Sequence, residues 1–391
     1  MTPRERFLKI CDFALCDDPY FWSIWAWPET IDRWSKEGMP VKNLRNMKEI
    51  NLHFLGFEDE IEYIPPRGSI QGMGRYGMDP WIVSIDPMFK REVIAEDDQY
   101  ETIREYDGTT LRRKKGIANS IPQILDYPVK NRQDWDEYQK RLEPLSEGRW
   151  LDRWDEIRDE WLAWPIRPGF EGQSWEKRDF PVGMSLMSLY GNIRNYMGME
   201  NVSVAIYEEP EFVEEMLDRQ AWLAEEMLKK VYESGVTLDW VFIWEDMCYN
   251  KGPMVSPAWF KEFMVPRYQR VTKMLKEHGC KMIAVDCDGK IDDLIPLWLE
   301  SGVNSVWPLE RTAGMDARKL RKEYGRDLIL MGNVDKRSLA EGREAIDREV
   351  TMVEELIHTS GYFVNVDHFI PPDVSYENMK YFVDRVRALK K

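Results

Sequence analysis

The sequence has few of the features that would crosslink a chain or anchor it in a membrane. Its five cysteines are an odd number with no CxxC pair, which argues against a disulfide framework and against a structural zinc knuckle. No run of 18 apolar residues could span a bilayer. The first fifteen residues lack the basic start, apolar centre and small-residue cleavage site of a signal peptide. We therefore expect free thiols, no membrane partner and a cytoplasmic location.

Positive charge is also scarce. The 391 residues include 54 Lys and Arg against 70 Asp and Glu, which gives a formal net charge of −16. Nucleic-acid binding depends on clustered basic side chains that displace counterions from phosphates, so this balance argues against a nucleic-acid partner. A small-molecule substrate or another protein fits the composition better.

Tryptophan, in contrast, is abundant. The chain has 17 Trp, several of them in YFWSIWAWPETIDRW at 20–34. Rings at this density bury much area, either in the core and in the contact of a homodimer or as a lid over an apolar substrate. Trp22, Trp25 and Trp307 are candidates for substrate-binding walls.

Strand-like and helix-like segments alternate from about Asp179 onward. Amphipathic stretches of helical length separate most of the short apolar runs FPVGMSLM, LDWVFIW, KMIAVD, VNSVWP, DLILMG and YFVNVD. This alternation predicts βα units around a parallel sheet. We expect one α/β domain over 1–391, a (β/α)₈ TIM barrel. Residues 1–178 would hold an N-terminal elaboration and the start of the barrel, and 179–391 the regular units.

The N-terminal part predicts helices and a small hairpin. Residues 2–15 predict a helix with Thr2 as N-cap and Pro3 in the first turn. YETIREYDGTTLRRKKG predicts a hairpin that turns at Asp107 and Gly108. NRQDWDEYQKRL and RWLDRWDEIRDEWLAW have the charged periodicity of surface helices. GMGRYG is predicted to be a loop, since no strand precedes its glycines as a dinucleotide-binding turn requires.

Polar residues collect where the predicted strands end. The carboxyl ends of barrel strands converge on the active-site face. A carboxylate after a buried strand is tolerable there because a cavity, water or a cation can meet it. In chain order these residues are Glu245, Asp246, Asp286, Asp288, Glu310, Asn333, Asp335, Asp367 and His368.

Three of these side chains form a candidate metal site. Asp286, Asp288 and His368 could meet across the mouth, and one imidazole with two carboxylates suits Zn²⁺ or Fe²⁺ while leaving a position open for substrate. The alternative is a polar cavity without a metal, in which the carboxylates pair with Lys290 or Lys336.

Glu245 and Asp246 are candidate catalytic residues for proton transfer. Neighbours on a strand face opposite sides, so at most one of them points fully into the barrel, and the other orients a loop or caps the next element. An apolar mouth or a nearby metal would shift the pKa of such a carboxyl group, which suits acid–base chemistry. Tyr190, near VGMSLM, is a candidate hydrogen-bond donor to the substrate.

Three segments resemble the uroporphyrinogen decarboxylase superfamily. They are GNVD at 332–335, SPAWFKEFMVPRY at 256–268 and RERFL near the start. This superfamily includes the porphyrinogen decarboxylases and methyltransferases that move methyl groups between small molecules, thiols and a corrinoid protein. The resemblance implies a (β/α)₈ barrel and is firmest from about Pro181 to Leu389.

Departures from the family pattern favour the methyltransferase branch. Porphyrinogen decarboxylases carry an RxPxWxxRQAGR segment whose arginines bind substrate carboxylates, whereas this chain has DDPYFWSIWAWPETIDRW there. Without those arginines an acidic protein would repel a substrate with eight carboxylates. The methyltransferases bind zinc through HxCG and a later Cys, and alignment on Gly289 and PPDVSYEN places Asp286, Asp288 and His368 at those positions. Such hard ligands suit polarisation of an ether or hydroxyl oxygen.

The resemblance thus implies a metal-assisted methyltransferase of the O-demethylase kind. A small methoxylated or methylated compound would donate its methyl group to a corrinoid on a separate protein, since the chain has no DxHxxG cobalamin loop. Two alternatives stay open. One is a lyase of the uroporphyrinogen decarboxylase type that acts without metal on a smaller carboxylated substrate, and the other is a carrier that binds a ligand without turnover.

Overall fold

The computed structural model describes residues 1–16, 19–41, 47–55, 62–63, 85–115, 122–146, 148–150, 178, 181–186 and 188–389. Within these ranges helices alternate with parallel strands, which confirms the predicted α/β class. The GMGRYG segment and nearly all of RWLDRWDEIRDEWLAW lie outside the described residues, so both of those predictions stay predictions.

The described helices fall mainly in the second half of the chain. They are α1 (Pro3–Cys11), α2 (Pro28–Lys36), α3 (Met47–Leu55), α4 (Arg132–Tyr138), α5 (Tyr190–Met197), α6 (Met199–Glu208), α7 (Pro210–Glu233), α8 (Val265–Glu277), α9 (Ile295–Glu300), α10 (Ala317–Tyr324), α11 (Lys336–Glu341), α12 (Arg343–Thr359) and α13 (Tyr376–Arg387). A π-helical turn, Phe260–Met264, leads into α8. None of the helices in the described ranges is long and apolar enough to cross a membrane.

The described strands are short. They are β1 (Glu62–Tyr63), β2 (Glu92–Glu96), β3 (Tyr100–Arg104), β4 (Thr110–Lys114), β5 (Gln123–Asp126), β6 (Val182–Leu186), β7 (Trp240–Trp244), β8 (Cys248–Tyr249), β9 (Gly252–Pro253), β10 (Met282–Asp286), β11 (Ser305–Trp307), β12 (Ile329–Met331) and β13 (Tyr362–Phe363). The six apolar runs of the sequence correspond to β6, β7 and β10 to β13.

Seven of these strands form one parallel sheet in the order β1-β6-β7-β10-β11-β12-β13. Residues 20–22 extend it as an eighth parallel segment beside β13, where the amide of Trp22 donates to Val364 O at 3.0 Å and that of Val364 to Tyr20 O at 2.8 Å. Eight segments are the number that the predicted barrel requires. Closure of the ring between residues 20–22 and β1 stays a prediction.

Alternate side chains of the sheet pack on opposite sides, as the two-residue period of a strand requires. The side chains on one side pack with the helices and include Val241, Ile283 and Leu330. The other forms a separate interior cluster with α1 and residues 20–25. Its members from the strands are Trp240, Phe242, Met282, Ala284, Trp307, Ile329, Met331 and Phe363. The sheet therefore curves around an interior that its own side chains fill.

Helix α1 covers the amino end of this interior. It begins with the predicted Thr2 cap, which with Glu5 forms a capping box, and it ends at Cys11 rather than at residue 15. Arg4 pairs with Asp239, directly before β7, at 3.0 Å, and Lys281, directly before β10, pairs with Asp12 at 2.9 Å. The carboxyl ends of the strands are therefore the accessible mouth.

The N-terminal elaboration contains a four-stranded antiparallel sheet, β2-β3-β4-β5. Its central hairpin turns at the predicted Asp107 and Gly108, where the Asp107 carboxylate accepts a hydrogen bond from the amide of Thr109 at 2.8 Å. The predicted helix at NRQDWDEYQKRL is α4, with a 3₁₀ turn after it, and it buries Trp135 and Tyr138 against the core. All five cysteines are described and free, as expected.

Candidate active site

His368 and Asp288 are in direct contact at the mouth. Nε2 of His368 lies 3.2 Å from Oδ1 of Asp288, whose side chain is 44% exposed. The imidazole also stacks on the indole of Trp307, with ring centroids 5.6 Å apart and an angle of 14° between the planes. The structure thus brings together an acid, an imidazole and an aromatic ring from three different strand ends.

The loop after β10 holds Asp288 in place through backbone contacts. The amide of Cys287 donates to Trp307 O at 2.8 Å, and the amide of Gly289 donates to the carboxylate of Glu310 at 2.9 Å. Gly289 has φ +87°, and a Cβ there would lie 2.8 Å from the carbonyl of Tyr249. Only glycine fits this position without strain.

Asp246 faces the same pair from the end of β7. It has φ +43°, and Arg194 of α5 holds it by two contacts, Nη1 to Asp246 O at 2.5 Å and Nη2 to Oδ2 at 2.9 Å. Burial raises the pKa of the Asp246 carboxyl group; the charge of Arg194 lowers it, Asp288 raises it and His368 lowers it. Asp246 is therefore coupled electrostatically to the Asp288–His368 pair.

The side chain of Glu245 faces the residues at the start of α5 rather than the Asp288–His368 pair. Its carboxylate is fully buried and accepts hydrogen bonds from Ser188 Oγ at 3.1 Å, from the amides of Leu189 and Gly191 at 2.9 Å, and from the hydroxyl of Tyr268. Burial raises its pKa, and these hydrogen bonds oppose the rise. These contacts join Glu245 to the scaffold, so the geometry gives it a positioning role at the start of α5.

The three predicted metal ligands do not form a three-ligand group. Asp288 and His368 meet, but within the described residues no set of three or more His, Cys, Asp or Glu side chains could hold a metal ion. Asp286 ends β10, where it pairs in register with Trp244 and Trp307, and its side chain is buried. Asp288 lies beyond the strand, where a two-residue spacing no longer places two side chains together.

The Asp288–His368 pair alone still fits two ligands of one metal ion. Two donor atoms at about 2.0–2.1 Å from a tetrahedral zinc ion lie roughly 3.3 Å apart, close to the observed 3.2 Å. Oxygen and imidazole nitrogen are ligands that zinc and iron both accept.

Aromatic rings form a wall beside the pair. Trp25 packs edge-on against Trp307, with centroids 4.5 Å apart, and stacks with Phe369 at 5.8 Å. Trp27, 39% exposed, also packs on Phe369, with ring centroids 5.1 Å apart. Trp22 lies deeper, within 5.1 Å of Trp240 in the filled interior. Trp25 and Trp307 thus belong to the aromatic wall beside the Asp288–His368 pair, whereas Trp22 lies in the interior cluster.

The other predicted site residues are occupied by hydrogen bonds within the rim. The carboxylate of Glu310 accepts the hydrogen bond from the amide of Gly289. Asn333, with φ +77°, accepts from the amide of Ala317 through its side-chain oxygen and donates to the carbonyls of Leu309 and Met315. Asp335 caps α11 and pairs with Arg337 at 2.6 Å, while buried Asp367 accepts from the amides of Arg311 and Lys336 at 3.1 Å. These side chains rigidify the mouth.

Tyr190 is fully buried at the first turn of α5. Its ring packs edge-on against Trp259, with centroids 6.2 Å apart, and burial raises the pKa of its phenol.

Sequence reasoning missed Arg194, Trp27, Phe369 and Asn365. Arg194 lies in a helix, away from the strand-end pattern that identified the acids. Trp27 and Phe369 carried a signal, since the first lies in the tryptophan-rich stretch and the second directly follows His368. Asn365 lies two residues past Phe363, on the interior side by strand alternation.

Comparison with known proteins agrees with this architecture. The profile of the uroporphyrinogen decarboxylase (URO-D) family matches residues 184–389, more than half of the chain. The chain belongs to the uroporphyrinogen decarboxylase family. Similar relatives include the uroporphyrinogen decarboxylases of a Nitratiruptor species, 25% identical over 227 residues, and of Danio rerio, 26% identical over 227 residues. Each match covers 56% of this chain, and 59% and 56% of the respective relatives, less than two thirds of their length.

A solved structure of a methyltransferase has a similar fold. A methyltransferase from Methanosarcina mazei superposes with a TM-score of 0.60 at 15% identity, covering 99% of this chain and 98% of the other. The likeness in fold therefore includes the N-terminal part that the family profile leaves unmatched.

Proposed function

We propose that this protein is an enzyme that transfers a methyl group from a small methoxylated or methylated compound to a corrinoid carried by a partner protein. The observation that supports this most is the contact between Asp288 and His368 beside the aromatic wall. An acid–imidazole pair next to flat apolar rings suits a small organic substrate with one polar reacting atom. The likeness to a methyltransferase fold over nearly the whole chain is compatible with it.

The side chains have separate roles in this proposal. Trp25, Trp307 and Phe369 would bind the apolar body of the substrate. Asp246, whose pKa is raised by burial, would deliver a proton to the oxygen that loses its methyl group. Arg194 would keep Asp246 oriented.

The metal ion of this proposal is zinc or iron. Asp288 and His368 would hold it, as their separation allows. When bound, such an ion supplies Lewis-acid polarisation of the leaving oxygen.

The test is a methyl-transfer assay. Protein purified without chelator would be incubated anaerobically with cob(I)alamin and a panel of methoxylated compounds, with methylcob(III)alamin followed by absorbance and bound metal by elemental analysis. We expect methylcob(III)alamin to form with at least one compound. Absence of transfer across the panel, together with release of CO₂ from small carboxylated compounds by metal-free protein, would contradict the proposal.

A carboxy-lyase is the second candidate, because the relatives named above are uroporphyrinogen decarboxylases. The charges at the mouth disfavour a substrate rich in carboxylates. Arg194 is already paired with Asp246, and Lys336 lies 3.5 Å from Asp367. A lyase of this chain would therefore act on a substrate with fewer carboxylates than a porphyrinogen.

A further inference from the structure

Two hydrogen-bond donors are buried at the mouth without acceptors. Nε1 of Trp307 and Nδ2 of Asn365 have no hydrogen-bond partner within the described part of the chain, and their residues are only 2% and 4% exposed. An unpartnered buried donor destabilises the fold, so native proteins seldom keep one unless a ligand or water meets it. Two such donors near the Asp288–His368 pair point to a ligand.

Both donors belong to the interior face of the sheet. Trp307, Met331 and Phe363 belong to the interior cluster, and the register places the three strands β11, β12 and β13 side by side. Asn365 follows Phe363 by two residues, which puts it on the same side, one layer closer to the mouth. Trp307 in turn stacks on His368.

A glycine keeps the space beside the indole nitrogen open. Gly332, at the end of β12, has φ +88°, and a Cβ there would lie 3.6 Å from Trp307 Nε1 and 2.8 Å from Val366 O. Any larger residue at this position would crowd the indole nitrogen of Trp307 and the backbone of Val366.

The amide of Asn365 has a fixed orientation. Its Oδ1 accepts a hydrogen bond from the amide of Val366 at 2.8 Å, so Nδ2 is the end that remains without a partner. The side chain therefore offers a donor rather than an acceptor.

We infer that Trp307 Nε1 and Asn365 Nδ2 bind an uncharged oxygen acceptor of the substrate, an ether, hydroxyl or carbonyl oxygen. Both groups are donors only, so a methylated ammonium, which has no lone pair, gains nothing from them. A carboxylate would meet Asp246, Asp286 and Asp288 around the same mouth, and like charges repel. This deepens the proposed function, on which it rests, by favouring a methoxylated or other oxygen-bearing methyl donor over a methylated amine or thioether.

The test is the preference between two probes of equal shape. Methoxybenzene and ethylbenzene differ only by an oxygen in place of a methylene group, and their dissociation constants would be measured by calorimetry. We expect the wild-type protein to bind the ether about tenfold more tightly, because one buried hydrogen bond is worth about that ratio. Trp307→Phe and Asn365→Leu should each remove most of the preference.

Ser305→Ala is the matched control. Ser305 Oγ is also buried without a partner, but it lies at the start of β11, away from the mouth. We expect this variant to keep the preference. Asn365→Leu also removes the Oδ1 acceptor of the buried Val366 amide, so we expect a lower melting temperature of the ligand-free protein together with the loss of the preference. A clear drop in melting temperature with the preference retained would show a structural role and overturn the inference, as would equal or absent binding of the two probes by wild-type protein.

The outcome is distinguishable from a failure of the proposed function, because binding is measured without corrinoid. A probe preference that depends on both donors, in a protein that transfers no methyl group, would contradict only the proposed function. Methyl transfer from an ether by variants that lack both donors would contradict only the inference.

Discussion

The contact between His368 Nε2 and Asp288 Oδ1, at 3.2 Å, joins the ends of β13 and β10 across two intervening strands. No backbone pairing connects these two strands, so their loops alone bring the side chains together. The loop that carries Asp288 is fixed by Gly289, and that of His368 is fixed by the buried Asp367. The candidate site therefore depends on residues that do not touch a substrate.

Gly289→Ala should be more destabilising than an alanine at another left-handed glycine. Gly314 has nearly the same φ, +85°, but a Cβ there would meet nothing within 4 Å. Gly314→Ala should cost only the backbone term of about 1–2 kcal/mol. Gly289→Ala should lower the free energy of unfolding further, because its Cβ would also clash with the backbone of Tyr249. Denaturant unfolding of both variants measures the difference, and equal losses would argue against the contact.

Glu245 should matter for stability more than any surface carboxylate. Glu245→Ala leaves two amides and two hydroxyls without their buried acceptor, so we expect the free energy of unfolding to fall by about 3 kcal/mol or more. The control is Glu226→Gln, which breaks a surface pair with Lys229 and should change it by less than about 0.5 kcal/mol. Similar effects of the two changes would refute the scaffold role.

The pKa of Asp246 should shift in opposite directions when the charge of Arg194 or that of Asp288 is removed. Burial raises it above the ordinary value of 3.8, Arg194 opposes the rise and Asp288 adds to it. We therefore expect Arg194→Met to raise the pKa further and Asp288→Asn to lower it. Carboxyl ¹³C chemical shifts followed through a pH titration measure both. Shifts of the same sign in the two variants would contradict this electrostatic arrangement.

The same pKa makes a prediction about stability. Because the folded-state pKa of Asp246 lies above its unfolded value, its contribution to stability is fully present below about pH 4 and is lost as the pH rises through the folded pKa. As the pH rises through this pKa, the free energy of unfolding of wild-type protein should fall relative to that of the Asp246→Asn variant. Denaturant unfolding between pH 4 and 7 tests this, and a difference that is independent of pH would count against it.

Substitution of Trp22 should destabilise the protein far more than substitution of Trp27, although both residues belong to one tryptophan-rich stretch. Trp22 is 1% exposed in the interior cluster, whereas Trp27 is 39% exposed at the rim. Trp22→Ala should cost about 3–5 kcal/mol through the cavity it leaves. Trp27→Ala should cost less than about 1 kcal/mol. Comparable losses on thermal or denaturant unfolding would mean that Trp22 does not fill the interior.

Much of the fold could be predicted from local patterns. Buried parallel strands appear as short apolar runs, which located β6, β7 and β10 to β13. Thr2, Pro3 and Glu5 specify the start of α1, and Asp107 with Gly108 specifies the hairpin turn. The strands, the helix cap and the hairpin turn depend on residues that are close in sequence, so they could be predicted without knowledge of the tertiary structure.

The site was less predictable because its side chains leave the strand geometry. Asp286 and Asp288 are two residues apart, but only Asp286 is still in the strand, so the expected three-ligand set does not form. Adjacent Glu245 and Asp246 face different environments, one the scaffold and one the mouth. Arg194 reaches the mouth from a helix 52 residues earlier, a contact that only the tertiary structure creates.

The rate of methyl transfer to cob(I)alamin by Asp288→Asn and His368→Gln, with the best donor of the wild-type protein, tests the central claim most directly. The account predicts that each variant loses about a hundredfold or more in rate, about the size of effect expected for one positioned catalytic group. The exposed controls Asp98→Asn and His278→Gln should keep the wild-type rate. Wild-type rates in both mouth variants would contradict the assignment of Asp288 and His368 as the reaction centre.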